Sequence, residues 1–420
     1  MTGVQSLPFA SRGLVHTMLG ISNGALVAAV CGGEGIAVWT LAASWRAVLL
    51  SITEGVLDAG AAPIAAARGR GDAEAERRLT ALATMMGVIV ASTLAVLGVG
   101  ILHLSGGVCS TITASITGEI SPVGFLGLMV CADAVGTLTD GVRAILLGRG
   151  RGGASAVAGS ACKAAQLLLG WILIPRIGLL GLLVAHVVSQ TTETIIQAAQ
   201  GWRFLRDVRI ADVTRTELIA QLRFGVSAAL TDASRNVLYA GVVSGIHAET
   251  GDMGVVLHTA LVKISNLHFK VLNGVAGGAL PEVAEGLAAG RQIRAICAGT
   301  LRVLLAWGAA FGVCYLLLPD IFWGTLAPGV PLADAHRAVW IVTLGIPVEA
   351  VAMLGGTYLR ATRNAMAVLV TEVAGAGVMA LGSAAALAYG AGVPGVWAAF
   401  VADSLVCACI VGVVIWRKRE

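Results

Sequence analysis

Twelve stretches of this chain are long and apolar enough to cross a lipid bilayer, and this limits the fold more than any motif does. They run at 7–30, 36–66, 79–104, 122–147, 154–174, 178–202, 219–246, 253–284, 294–318, 338–360, 365–388 and 393–416. Backbone groups in lipid must be bonded within the chain, and runs this long and uniform are helices, not barrel strands. Composition agrees. Charged residues are 12% of the chain, against about 25% in an ordinary soluble domain. Hydrophobic residues make up 57%. The expected fold class is an all-α polytopic membrane protein of twelve transmembrane helices.

Lysine and arginine orient the spans. With the N-terminus inside, nineteen fall on the inner side, clustered at Arg68–Arg78, Arg149–Arg151, Arg203–Arg223, Arg291–Arg294, Arg360–Arg363 and Arg417–Arg419, with Arg12 before them. Only Arg176 and Arg337 fall outside. That bias predicts cytoplasmic N- and C-termini and an inner or plasma membrane location. The first apolar run lacks a small-residue cleavage site, so no removed signal peptide is expected. The net charge of +4 is a topology signal and gives no reason to expect nucleic acid.

The chain repeats itself. "AAPIAAARGRGDAEAERR" at 61–78 returns as "GGALPEVAEGLAAGRQIR" at 277–294. "GLLGLLVAH" at 178–186 matches "GVPGVWAAF" at 392–400, and "RAILLGRGR" at 143–151 resembles "GTYLRATRN" at 356–364. Six spans separate the copies, an even number, so both halves keep one topology. The expected organisation is an N-lobe at 1–205, a cytoplasmic linker at 206–217 and a C-lobe at 218–420, related by a parallel pseudo-two-fold repeat.

Sixteen charges lie inside the spans: Arg46, Arg143, Lys163, Arg235, Lys263, Lys270, Arg302, Glu54, Asp58, Asp133, Asp140, Glu193, Asp232, Glu349, Glu372 and Asp403. Each costs about 2.5–3.5 kcal/mol at a helix centre, so each should face a partner or a watery cavity. Helical spacing groups several of them. Glu54 and Asp58 are four residues apart, and Asp133 and Asp140 are seven apart on one face. The sixth span carries His186, Gln190, Glu193 and Gln197 as a stripe, and the eighth carries Lys263, Asn266, Lys270 and Asn273. Both stripes are expected to line a cavity. Asp232 precedes Arg235 and Asn236 by one turn. Asp140–Arg143 and Asp232–Arg235 also read as structural ion pairs. His16, His258 and His268 read as hydrogen-bonded packing residues.

The eight cysteines show neither zinc spacing nor a disulfide framework. No G-x-x-x-x-G-K-[ST] phosphate loop occurs, and no cofactor or metal is expected.

Twelve spans as six plus six, Pro63 and Pro281 near the ends of the second and eighth, and the Gly-Asp or Gly-Arg step after each resemble the multidrug and toxic compound extrusion (MATE) family. "LLGRGR", "YLRATRN" and the G-x-x-G-x-x-x-A openings of the sixth and twelfth spans fit the same family. Its wider superfamily includes polysaccharide and lipid flippases and exporters of small anions. The resemblance implies a monomeric exporter, not an enzyme, that extrudes a small polar or charged compound by alternating access against H⁺ or Na⁺. It also implies coupling acids on the seventh and tenth spans, which here are Asp232 and Glu349. The chain departs from the family at Asn23, where an acid is expected, and at Lys163, where an asparagine is expected; that ammonium would stand in for a bound Na⁺. Lys263, Lys270, Arg143 and Arg302 motivate the rival of a flippase or small-anion exporter. An intramembrane enzyme is the rival of another class, and no nucleophile or metal constellation supports it.

Overall fold

The computed structural model describes residues 3–58, 60–117, 121–206, 208–291, 293–317 and 332–417. Within them it leaves out the side chains of 3–6, 24, 28, 32–37, 40–41, 44, 52–58, 115–117, 210, 227–228, 231, 252, 256, 332, 365 and 415–417. All regular structure among the described residues is helical. The helices are α1 Gly3–Asp58, α2 Ala61–Gly69, α3 Ala73–Leu104, α4 Val108–Thr117, α5 Pro122–Gly148, α6 Gly152–Leu205, α7 Arg215–Ala288, α8 Ile293–Leu317, α9 Leu332–Ala361, α10 Ala365–Ala388 and α11 Gly392–Arg417. A short 3₁₀ turn, Ile210–Asp212, precedes α7.

Among the described residues, nine helical segments are long and apolar enough to cross a membrane. The three other sequence spans lie on the C-terminal part of α1, the second half of α6 and the first half of α7. The chain turns inside α6 at Ile177 and Gly178 (φ 59°, ψ −139°) and inside α7 at Gly251 (φ 65°). Pro175 lacks the N–H that would continue the helix, and glycine accepts the left-handed backbone that follows. The protein is an all-α, multi-pass membrane protein.

The repeat read in the sequence reappears in the backbone. Gly71 and Gly290 both have positive φ, as do Gly178 and Gly392, and Gly150 is matched by Arg363 (φ 51°). The caps agree bond for bond. Arg151 N–H donates to Leu146 O at 2.7 Å, and Asn364 N–H donates to Leu359 O at 3.2 Å. Each is the long bond of a Schellman motif, which satisfies carbonyls at a helix end.

Two compact units result, one spanning Val15–Ala229, the other joining the residues up to Leu14 with those from Leu230 onward. The first packs Val27, Leu102, Phe125, Ile174 and Leu179 into its core. Lipid supplies no hydrophobic drive between helices, so close backbone approach carries the packing. A Cβ on Gly127 of α5 would lie 2.8 Å from Leu102 Cγ of α3, and one on Gly136 would lie 2.7 Å from Gln190 Nε2 of α6. The second unit packs Ile246, Leu261, Ile264, Leu272, Leu304 and Ile346. There Gly345 of α9 meets Val401 of α11, with 2.6 Å left for a Cβ, and Gly274 of α7 faces the Phe9 carbonyl of α1.

Candidate functional site

Each unit holds buried polar groups that its apolar helices must satisfy internally. In the first unit the centre is Asp133, on α5 and 4% exposed. Arg46 of α1 grips it twice, Nε to Oδ2 at 2.6 Å and Nη2 to Oδ1 at 2.7 Å. Such a fork is the strong form of a charged hydrogen bond. His186 Nε2 reaches Asp133 Oδ1 at 3.2 Å, and Gln166 Nε2 reaches His186 Nδ1 at 3.2 Å, both from α6. Lys163 Nζ then donates to Gln166 Oε1 at 3.3 Å. Lys163 and Gln166 are both buried.

The hydrogens in this chain run one way. An ammonium only donates, so Gln166 accepts from Lys163 with its oxygen and turns its NH₂ to His186. Nδ1 of His186 is therefore the acceptor, and its proton sits on Nε2, pointing at Asp133. The series thus runs from Lys163 through Gln166 and His186 to the carboxylate.

Beside it lies a cavity of about 140 Å³, whose lining includes His16, Asn23, Trp39, Arg46, Lys163, Gln166 and His186. Asn23 is 4% exposed, and its Oδ1 has no hydrogen-bond partner.

The second unit is built differently. Tyr315 of α8 donates its hydroxyl to the Ile264 carbonyl at 2.8 Å. Its single hydrogen is thereby used, so the Tyr315 oxygen accepts from His268 Nδ1–H at 3.1 Å. His268 Nε2 meets Glu349 Oε2 at 2.8 Å. That contact contains one proton, carried either by the carboxyl or by the imidazole. His268 and Tyr315 are each 1% exposed, whereas the Glu349 side chain is 22% exposed. Nearby in sequence on α7, Arg235 binds Glu372 of α10 at 2.9 Å and also Asp403 of α11. Cys407 donates to Asp403 at 3.5 Å. Gly375 makes the approach possible, since a Cβ there would collide with the Asp403 carboxylate.

The other expected site residues are spread over the helices. Glu54 and Asp58 have side chains outside the described residues. Asp140 pairs with Arg143 at 2.9 Å, as its spacing suggested. The Gln190 amide packs on Gly136, and Glu193 accepts from Gln197 at 2.8 Å, both fully buried. Asp232, Asn236 and Asn266 are half-buried on α7, and Lys263, Lys270 and Asn273 are exposed. Sequence reasoning read His268 as a packing residue and passed over Tyr315 and Gln166. A single tyrosine in the apolar run "FGVCYLLL" was the available signal, because a buried hydroxyl needs a partner.

Solved structures share this arrangement over nearly the whole chain. A MATE protein in complex with MaL6 superposes with a TM-score of 0.82 at 18% identity, covering 99% of this chain and 95% of the other. The chain has the fold of the MATE transporters. A MOP-superfamily transporter from Pyrococcus furiosus Vc1 (DSM3638), described as having a binding pocket of reversed polarity that suggests a different function, matches with a TM-score of 0.85 at 17% identity over the same shares. An outward-facing multidrug resistance MATE family transporter of the MOP superfamily matches at 0.81 and 17%, again covering 99% and 95%. At these identities the likeness is one of fold. No protein-family model and no curated protein sequence matches the chain.

Proposed function

We propose that this protein is a proton-coupled secondary exporter. It moves a small polar or charged compound outward through an inner or plasma membrane by alternating access, as a monomer with both termini in the cytoplasm. The 206–217 linker joins the two lobes, and the inward flow of H⁺ drives the cycle. The MATE fold and the inner-side arginine bias support this reading. An intramembrane enzyme would require a reacting constellation, whereas the buried polar groups among the described residues are arranged as ion pairs and hydrogen-bond series.

One observation carries the choice of H⁺ over Na⁺: the single proton between Glu349 and His268. Sodium would take several oxygen ligands, whereas the nearest partner of this carboxylate is an imidazole nitrogen at 2.8 Å. A carboxyl that is part-exposed on one side and bonded to a buried base on the other can accept a proton from water. It can also pass charge to His268. Either change alters the hydrogen bonding of α9 against α7, the kind of local event that biases a two-state transporter.

The test is transport in sealed proteoliposomes under an imposed pH gradient, read from proton flux and movement of a panel of cationic and anionic compounds. Glu349→Gln should abolish gradient-driven movement while the protein still folds, and His268→Asn should do the same. Asp232→Asn, the second acid expected to couple, is measured beside them. Normal proton-driven transport by Glu349→Gln would overturn the reading.

A further inference from the structure

We infer that the arginine-bearing end of the fifth and sixth spans, in the first unit, holds the phosphate headgroup of an anionic phospholipid. This goes beyond the exporter reading and does not rest on it.

The fifth and sixth spans are the two antiparallel arms of α6, joined at Gly178. Two bonds set their register. Ser189 Oγ donates to the Cys162 carbonyl at 2.8 Å, and Arg151 Nη1 donates to the Gln200 carbonyl at 3.3 Å. One face of this hairpin is apolar along its length. Val157, Leu168 and Trp171 stand exposed on the first arm, and Val188, Ile195 and Trp202 on the second. The last three are spaced by seven, so they share one side of the helix. Exposed apolar surface of this extent marks a partner, and between membrane helices that partner is an acyl chain. From Val157 to Trp171 the strip runs about 21 Å, enough for one leaflet of roughly 15 Å.

At one end of the strip the apolar surface gives way to arginines. Arg151 opens the first arm and Arg203 follows Trp202 on the second, both exposed. Arg68 of α2 joins them, since a Cβ on Gly150 would collide with its guanidinium. Arg149 and Arg151 both lie over the Phe204 ring, 4.7 and 5.9 Å from its centre. The acids in the first turn of α3 are engaged elsewhere: Glu76 binds Arg149 at 2.8 Å, and Glu74 binds Arg78 at 2.7 Å. Among the described residues, Arg68, Arg151 and Arg203 form no ion pair.

The chemistry of this end selects the ligand. Crowded like charges repel, and an anion seated among them relieves the repulsion. A guanidinium forks onto two phosphate oxygens at once. Position decides that the phosphate belongs to a lipid. Exposed tryptophans such as Trp202 favour the headgroup level, and arginines at that level attract anionic headgroups. A zwitterionic headgroup would bring its own cation to the same place and gain less.

Lipid retention by the purified full-length protein in detergent, read by native mass spectrometry, tests this. The probes are phosphatidylglycerol and phosphatidylcholine with identical chains, and inorganic phosphate is the competitor. The parent should retain phosphatidylglycerol in preference. An arginine beside an anionic lipid is worth about fivefold, so Arg203→Gln should cut the preference by about that factor. Arg68→Gln, Arg151→Gln and Arg203→Gln together should erase it. Arg68→Lys, Arg151→Lys and Arg203→Lys together keep the charge and should keep most of the preference, which separates headgroup recognition from a packing defect. Arg223→Gln removes an exposed arginine of α7 and should change nothing; a loss equal to that of Arg203→Gln would mean diffuse charge and overturn the site. Equal retention of the two lipids by the parent, or an undiminished preference in the folded triple glutamine variant, would also overturn it. If that variant does not fold, Arg203→Gln alone decides. Displacement of phosphatidylglycerol by inorganic phosphate would assign the arginines to free phosphate and overturn the lipid. No gradient or transported compound enters the measurement, so failure here leaves the proton-coupled reading standing, and failure of that reading leaves this site standing.

Discussion

The two units solve the same problem, polar groups buried among membrane helices, in opposite ways. In the first, Asp133 accepts a fork of two bonds from Arg46 and meets His186 at 3.2 Å. In the second, Glu349 meets His268 at 2.8 Å, and Arg235 meets two acids instead of one. The difference arises from which side chains face inward, while the helices and caps stay alike.

Neutralising the two central acids should break this symmetry most visibly. Asp133→Asn leaves the Arg46 guanidinium without its counter-charge, and removing one partner of a buried pair costs about 3–5 kcal/mol. Arg46 keeps 28% side-chain exposure, so about 3 kcal/mol, the lower end, is expected. Glu349→Gln replaces a group whose described partner is an imidazole, and an amide can still bond that ring; about 1 kcal/mol is expected. Thermal unfolding of the two variants in one detergent checks the order. Equal losses would show that the two acids are held equally strongly by their partners.

The caps give a second comparison. Gly150 has φ 74°, and a Cβ there would collide with the Arg68 guanidinium. Gly150→Ala should therefore cost about 1–2 kcal/mol from the left-handed backbone alone, plus whatever displacing Arg68 adds. A midpoint of unfolding unchanged from the parent would show that this cap is not held as described.

The segment leading into α7 adds a pH-dependent effect of similar or smaller size. Thr214 and Glu217 form a capping box: Thr214 Oγ1 accepts from Glu217 N–H at 3.2 Å, and Glu217 Oε2 accepts from Thr214 N–H at 3.2 Å. Burial pushes the Glu217 carboxyl up, but hydrogen bonds from Thr214 and the charge of Arg78 outweigh it and hold the group below the usual carboxylate range. A depressed folded-state value means the stabilisation is present above the ordinary glutamate range and is lost as pH falls through the folded value. Unfolding midpoints of the parent should drop more steeply between neutral and acid pH than those of Glu217→Gln. Parallel pH curves would remove Glu217 from the account.

Much of this was readable from one sequence, and the limit has a physical cause. Span length and the repeat depend on local runs of residues, and they led to the fold. The weak match of "RAILLGRGR" with "GTYLRATRN" even aligned Gly150 with Arg363, the two left-handed caps. Partners across helices are another matter. Spacing along α7 offered Asp232 as the neighbour of Arg235, yet Glu372 and Asp403 lie 137 and 168 residues away along the chain. The sixth-span stripe read as one wall, whereas His186 turns to Asp133, Gln190 packs on Gly136 and Glu193 binds Gln197. A helical face specifies direction, and the helix met in that direction is fixed by packing.

The smallest expected effect sharpens the comparison of caps. Arg363 occupies with an ordinary side chain the left-handed position that glycine fills in the first half, at φ 51°. That conformation costs an L-residue about 1–2 kcal/mol. Arg363→Gly removes the cost but gives the unfolded chain extra freedom worth about 0.4–1 kcal/mol, so the net gain should be only about 0.5 kcal/mol. Arg363→Asn keeps a Cβ, tolerates the left-handed region and adds less freedom when unfolded, so it should gain at least as much. Arg363→Val, β-branched and poorly suited to positive φ, should lose stability. The expected ranking of unfolding midpoints is Asn at or above Gly, Gly above Arg, and Val lowest. If asparagine and glycine both fall below arginine, the contacts of the Arg363 side chain outweigh its backbone cost. The two caps would then be alike in shape but held by different forces.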